Sequence, residues 1–357
     1  MFQRIFYLDF IRTIATILIV VYHLSVALTT FSITVPIPRF DSHANGTYGH
    51  LGVALFFIIS GAALMYNYKK NLDVTPFLKK RFVSLFPMFW LTYICYRLYL
   101  NVFMHIRAAQ IPKWRYIFTV VGMDGYLASI TPTFYLLGEW FLGCIILLYL
   151  LFPLLRCLLK KYPKQLPIAI VIGYLVLLFF DPFPNMIQDR NFLFRIVDVL
   201  FGMYFVTYVR NVPGKAATVA AIVLAVFLVQ PMNLPEVVCI HLIGISSFIV
   251  LVYLSKYLEK KYVKKCCLIV SKYSYAIFLV HHIVIQQVLQ YFTNQTLSAF
   301  QILCLATVIG ILIGLLSYGI DRLNTIILAA YRSCFSNGTT NGKHNYTLQN
   351  REGQRGL

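Results

Sequence analysis

An all-α fold, a polytopic bundle of about ten transmembrane helices, is predicted by three features of the sequence. Apolar runs long enough to cross a bilayer recur along nearly the whole chain, whereas 59% of the 357 residues are hydrophobic and only 12% are charged. A water-soluble domain carries about 25% charged residues, so lipid rather than water is the expected solvent. The third feature is the clustering of Lys and Arg in alternate connections between the apolar runs. A net charge of +19 fits such loops facing anionic lipid. It does not suggest nucleic acid, because the charges sit in short clusters rather than on one folded face.

The hydrocarbon core needs about 20 apolar residues per helical crossing. In chain order the runs are 7–30, 50–68, 82–104, 134–156, 166–181, 192–209, 216–231, 237–255, 267–292 and 299–331. Those at 166–181, 192–209 and 216–231 are short and interrupted, and 115–130 reads as a half-helix dipping into the membrane. The first run lacks a small-residue cleavage pattern and reads as a span rather than a signal peptide. Together 4–331 form one transmembrane domain. Residues 332–357, Asn/Gly-rich and polar from Ser336, read as a disordered cytosolic tail.

Loop charge gives the orientation. Connections after even-numbered runs hold Lys69, Lys70, Lys79, Lys80 and Arg81, then Arg156, Lys160, Lys161 and Lys164, then Arg210 and Lys215, then Lys256, Lys260, Lys261, Lys264 and Lys265. The others hold Arg39, then Arg107, Lys113 and Arg115, then Arg190, and the turns at 232–236 and 293–298 hold none. Basic loops stay inside, so both termini are expected in the cytosol. The eight Cys show no zinc-ligand spacing; Cys95, Cys144, Cys239 and Cys304 lie in apolar runs as small hydrophobes. No metal is expected.

Ionisable groups inside a bilayer are costly and mark candidate sites. Arg12 and His23 lie on the first helix, eleven residues apart. That is close to three turns, so they share a face about 16 Å apart along the axis. Asp9, one turn before Arg12, can pair with it. Glu139, His281 and His282 fall at the outer depth of His23; Arg12, Lys79, Lys80, Arg81, Asp321 and Arg322 fall at the inner one. Each has a plainer reading. Arg12 and Arg97 can snorkel, His23 can be a packing residue, and Arg195 and Asp198, about one turn apart, can simply pair. Gly52, Ser60 and Gly61 allow close helix packing. A basic inner layer suits a phosphate-bearing ligand, and a histidine near a carboxylate suits a general base.

The wording of five segments is more specific. YLDFIRTIATILIVVYHLS, with Arg12 and His23, resembles the opening of the acyltransferase family 3 membrane proteins. HLGVALFFIISGAALM is similar to that family's G-V-x-L-F-F-x-x-S-G segment, and FLKKRFVSLFPMFW to its third-helix entry with Arg81 and Pro87. SKYSYAIFLVHHIVI resembles S-Y-x-I-Y-L-x-H with His281 at the motif histidine, and SYGIDRL places Asp321 where an acidic residue is usual. The resemblance spans about residues 4–330 and departs at Ser84, where Arg-x-x-Arg would have its second arginine.

The resemblance implies a ten-helix enzyme of the cell (plasma or inner) membrane. It would move an acyl group, acetyl by preference, from cytosolic acyl-CoA to a hydroxyl of a cell-envelope glycan or lipid-linked sugar. His23 would be the catalytic base, with Glu139 and His281 beside it, while Arg12, Arg81 and Lys80 would hold the donor. Two other classes fit the composition: a transporter using His23, Glu139 and His281 as a proton or substrate path, and a noncatalytic component of a polysaccharide synthesis complex.

Overall fold

The computed structural model describes residues 5–137, 139–180, 182–209 and 211–352, with the side chains of all these except 139 and 334–352. Among the described residues ten helices of 16 residues or more follow one another: α1 Phe6–Thr30, α2 Tyr48–Asn67, α3 Val74–Val102, α6 Glu139–Lys161, α7 Gln165–Phe180, α8 Phe192–Tyr208, α9 Gly214–Val229, α10 Glu236–Leu258, α11 Lys261–Leu289 and α12 Ala299–Glu352. Two short helices, α4 Tyr116–Val120 and α5 Asp124–Leu127, lie between α3 and α6, and a small hairpin, β1 Ser42–His43 with β2 Gly46–Thr47, precedes α2.

The fold is all-helical, and among the described residues six helices are long and apolar enough to cross a membrane: α1, α2, α6, α10, α11 and α12. The helices α7 and α9 have 16 residues each, about 24 Å of rise against a hydrocarbon core of about 30 Å. At α3 the first two turns carry Lys79, Lys80 and Arg81, and α8 buries Arg195 and Asp198. Several predicted boundaries are corrected, the ninth helix among them, which starts at Lys261 rather than 267. The third helix starts at Val74 rather than 82, because its basic first turns are helical without being apolar. The fourth starts at 139 rather than 134, because residues 134–136 are irregular; there the Phe134 carbonyl accepts from the Tyr93 hydroxyl at 2.8 Å. The segment 115–130 is two short helices broken at Gly122, whose φ of +71° favours glycine. The tail expected from 332 lies, from 334 onward, outside the residues described with side chains.

At the centre, α2 is wedged between α1 and α8. A Cβ on Gly61 would stand 2.0 Å from the Val199 carbonyl oxygen, and one on Gly202 1.9 Å from that of Ile58, so α2 and α8 touch backbone to backbone. On its other side, a Cβ on Gly52 would reach Ile19 at 2.7 Å. Small residues permit this approach where lipid offers no hydrophobic drive between helices.

The connections meet in two sets. On one side, Thr34 of the α1–α2 connection bridges Thr296 of the α11–α12 turn. Asn45 donates to Phe227 and Gln230 carbonyls at the end of α9. On the other, Arg156 donates to the Tyr68 carbonyl at 2.6 Å and Lys256 to that of Val212 at 2.7 Å. The second set contains the basic connections.

Candidate active site

A cavity of about 340 Å³ runs between α1, α2, α6 and α11, and both Arg12 and His23 line it. Ser84, Tyr149, Ser274 and Tyr275 line it as well, as do Trp140, His281, His50, Asp189 and Arg190. The helical spacing that puts Arg12 and His23 on one face of α1 therefore faces that stripe into open space.

Arg12 is held rather than loose. Its Nη1 donates to Ser271 Oγ at 3.0 Å, and Ser271 Oγ donates to Asp9 Oδ1 at 2.5 Å. The direct Arg12–Asp9 approach, expected from their spacing, is 4.0 Å. Asp9 is buried, and a buried carboxylate needs such donors. Thr13, one turn on, ties the same helices by donating to the Cys267 carbonyl at 3.3 Å.

His23 meets both histidines of α11. Its ring centroid lies 3.9 Å from that of His282 and 5.2 Å from that of His281. His281 is buried, and its Nδ1 lies 3.0 and 2.8 Å from the Ile277 and Phe278 carbonyls. Those acceptors assign a proton to Nδ1. Neighbours on a helix diverge by about 100°, so one of the pair was expected to point inward. The seam between α1 and α11 admits both to His23, while His281 lines the cavity.

The other sequence-predicted residues lie around this space. Arg81 stands 5.9 Å from the Phe77 ring and 5.7 Å from that of Tyr149, directly behind the cavity wall. Ser84 donates to the Arg81 carbonyl at 2.8 Å and lines the cavity. Lys80 lines a separate groove with Lys79, Arg332 and again Ser84. Glu139 opens α6, but its side chain lies outside the described residues; the next residue, Trp140, lines the cavity. Asp321 lies away from the site and approaches Lys272 at 3.8 Å.

The opposite mouth carries a network of charge. His50, at the start of α2 where Thr47 accepts its backbone N–H, places its ring nitrogens 3.2 Å from Asp189 Oδ2 and 3.2 Å from Glu236 Oε1. Burial alone would raise the Asp189 carboxyl, but His50, Arg195 and Arg190 outweigh it and hold the group below its ordinary value. Arg195, fully buried, donates to the Asp189 carbonyl at 2.6 Å and to Asp198 Oδ2 at 3.2 Å. Asp198 also meets His241 Nδ1 at 2.8 Å. The Arg195 guanidinium lies 5.6 Å from each of the Phe57 and Trp140 rings.

The sequence profile of the acyltransferase domain family matches residues 5–318. The protein belongs to acyltransferase family 3. It is thus an enzyme that transfers acyl groups, built as a multi-pass membrane protein, and the transporter and noncatalytic readings give way. No curated protein and no solved structure matches the chain. Within this acyltransferase, sequence reasoning overlooked Ser271, Tyr149, His50 and Asp189. The S-K-Y-S of SKYSYAIFLVHH contains Ser271, but only the packing of α1 on α11 gives it Arg12 as partner.

Proposed function

We propose that this acyltransferase moves an acyl group, acetyl by preference, from cytosolic acyl-CoA to a hydroxyl of a cell-envelope glycan or lipid-linked sugar. In this reading the ten long helices all traverse the cell membrane, the basic connections and both termini face the cytosol, and His23 lies towards the outer half. The observation that carries it is the single cavity onto which Arg12 and His23 both open.

The donor's phosphates would meet the cations of the basic end: Arg12 within the cavity, with Arg81 and Lys80 beside it. Where a second motif arginine would project, Ser84 leaves the cavity wall low towards the groove of Lys79, Lys80 and Arg332. A pantetheine arm, extended past Tyr149, would carry the thioester towards His23. There the acceptor hydroxyl gives its proton to the imidazole as its oxygen attacks the thioester carbonyl. The tetrahedral intermediate collapses with loss of the CoA thiolate, which recovers that proton; the products are an ester and CoA-SH. His281, which lines this space, helps orient the hydroxyl, and Glu139 is the carboxylate proposed to support the base.

The test is mass spectrometry of envelope glycans from cells making the wild-type protein or His23→Ala. The substitution is expected to remove the ester while the protein stays in the membrane. Undiminished ester would overturn the assignment of the base.

A further inference from the structure

Three imidazoles converge where α1 packs on α11. One nitrogen from each of His23, His281 and His282 lies within 4.8 Å of the other two. The ring centroids of His281 and His282 are 4.7 Å apart, and both are close to His23. Long helices carry all three, so the cluster is positioned by packing rather than by a loop.

This is the donor set of a transition-metal site. Neutral imidazole suits zinc, copper and nickel, whereas magnesium and calcium require oxygen ligands. At Zn–N distances of about 2.0–2.1 Å, tetrahedral ligands stand about 3.4 Å apart. The three nitrogens, within 4.8 Å of one another, would draw in by up to about 1.4 Å to reach that value. The backbone carbonyls at His281 Nδ1 supply the orienting contact that metal-bound histidines use, so Nε2 is the atom His281 would offer. His23 and His281 line the cavity, so a fourth position would be open to it.

We propose that His23, His281 and His282 bind one divalent first-row transition-metal ion, with zinc as the probe, and that its occupation withdraws His23 from the acceptor. The binding stands on the geometry of the three rings. The effect on transfer rests on the reading of His23 as the base, since a nitrogen lone pair given to a cation is no longer offered to a hydroxyl.

Purified wild-type protein, stripped with a chelator, is titrated with zinc, and bound metal is counted after dialysis. One zinc per chain is expected, with at least about tenfold weaker binding in His282→Asn and in His23→Asn. Cobalt in place of zinc should give the visible absorption of a tetrahedral nitrogen site. Zinc retention no greater than in a variant lacking all three histidines overturns the site. Transfer is then measured with and without zinc, each variant against its own zinc-free rate. The wild-type rate should fall at least about tenfold, whereas His282→Asn should change little under the same zinc. Histidine-dependent zinc binding with an unchanged wild-type rate overturns the inhibitory half and, with it, the role of His23 as base. Loss of transfer on stripping, restored by zinc, also overturns inhibition and makes the ion a participant.

Discussion

Arg12 reaches Ser271 across 3.0 Å, a bond between residues 259 positions apart in the chain. Ser271 passes the contact to Asp9, so a hydroxyl links the guanidinium to the carboxylate alongside their 4.0 Å ion pair. This arrangement gives the buried carboxylate donors at a point where Arg12 also lines the cavity.

Ser271→Ala should therefore loosen Arg12 without touching the reacting atoms. A hydrogen bond to a charged group contributes about 1.5–3 kcal/mol, which translates to a rise in KM for acyl-CoA of about tenfold or more. The kcat should change little, and Ser271→Thr should restore KM. Steady-state kinetics on purified protein separate this from a folding defect, which would lower the active fraction and leave KM alone.

Much of the fold is legible in the sequence, for a reason that lipid imposes. Each crossing needs its own apolar run, and the six helices long and apolar enough to cross a membrane all fall on predicted segments. The Arg195–Asp198 pair is legible too, because three residues make about one helical turn and the membrane penalises either charge alone. The beginning of α3 is not, since Lys79, Lys80 and Arg81 interrupt hydropathy without interrupting the helix. Nor is the meeting of His23 with both His281 and His282, which depends on how α1 and α11 are rotated against each other. Helical periodicity fixes relative directions on one helix and says nothing of the partner's direction.

The contact of α2 with α8 leaves no room for a methyl group. Gly61→Ala and Gly202→Ala would each drive a Cβ to within 2.0 Å of a backbone carbonyl oxygen. Because backbone cannot rotate away as a side chain does, each should destabilise the bundle by about 1–3 kcal/mol or more. Gly173→Ala, with open space around its Cβ, should not. Thermal unfolding in one detergent, read for all three variants, checks the contrast.

The groove of Lys79, Lys80 and Arg332 is solvent-exposed, so its charges act weakly and through screening. Lys80→Ala combined with Arg332→Ala should raise KM for acyl-CoA by about two- to fivefold at low ionic strength. At 1 M salt, where the Debye length is about 3 Å, the difference should vanish. A defect that persists in high salt would mean that the groove contributes more than screened charge to donor binding.

Arg195 and Asp198 are both fully buried, and each has a further partner: Asp189 for the arginine, His241 for the aspartate. Arg195→Met should cost about 3–5 kcal/mol, because it leaves Asp198 buried with His241 alone and removes the donor from the Asp189 carbonyl. Asp198→Asn keeps an oxygen for Arg195 and turns its NH2 towards His241 Nδ1, which the other imidazole tautomer can accept, so it should cost less. In the double variant the stranded charge is gone, so stability should recover part of the loss from Arg195→Met. Unfolding midpoints for the four proteins close the cycle, and strictly additive losses would show that the two side chains act independently. The same cycle bears on the cavity: Arg195 lies against the Trp140 ring, which lines it. Arg195→Met should therefore also disturb acceptor use, seen as a change in acceptor KM with that for acyl-CoA preserved.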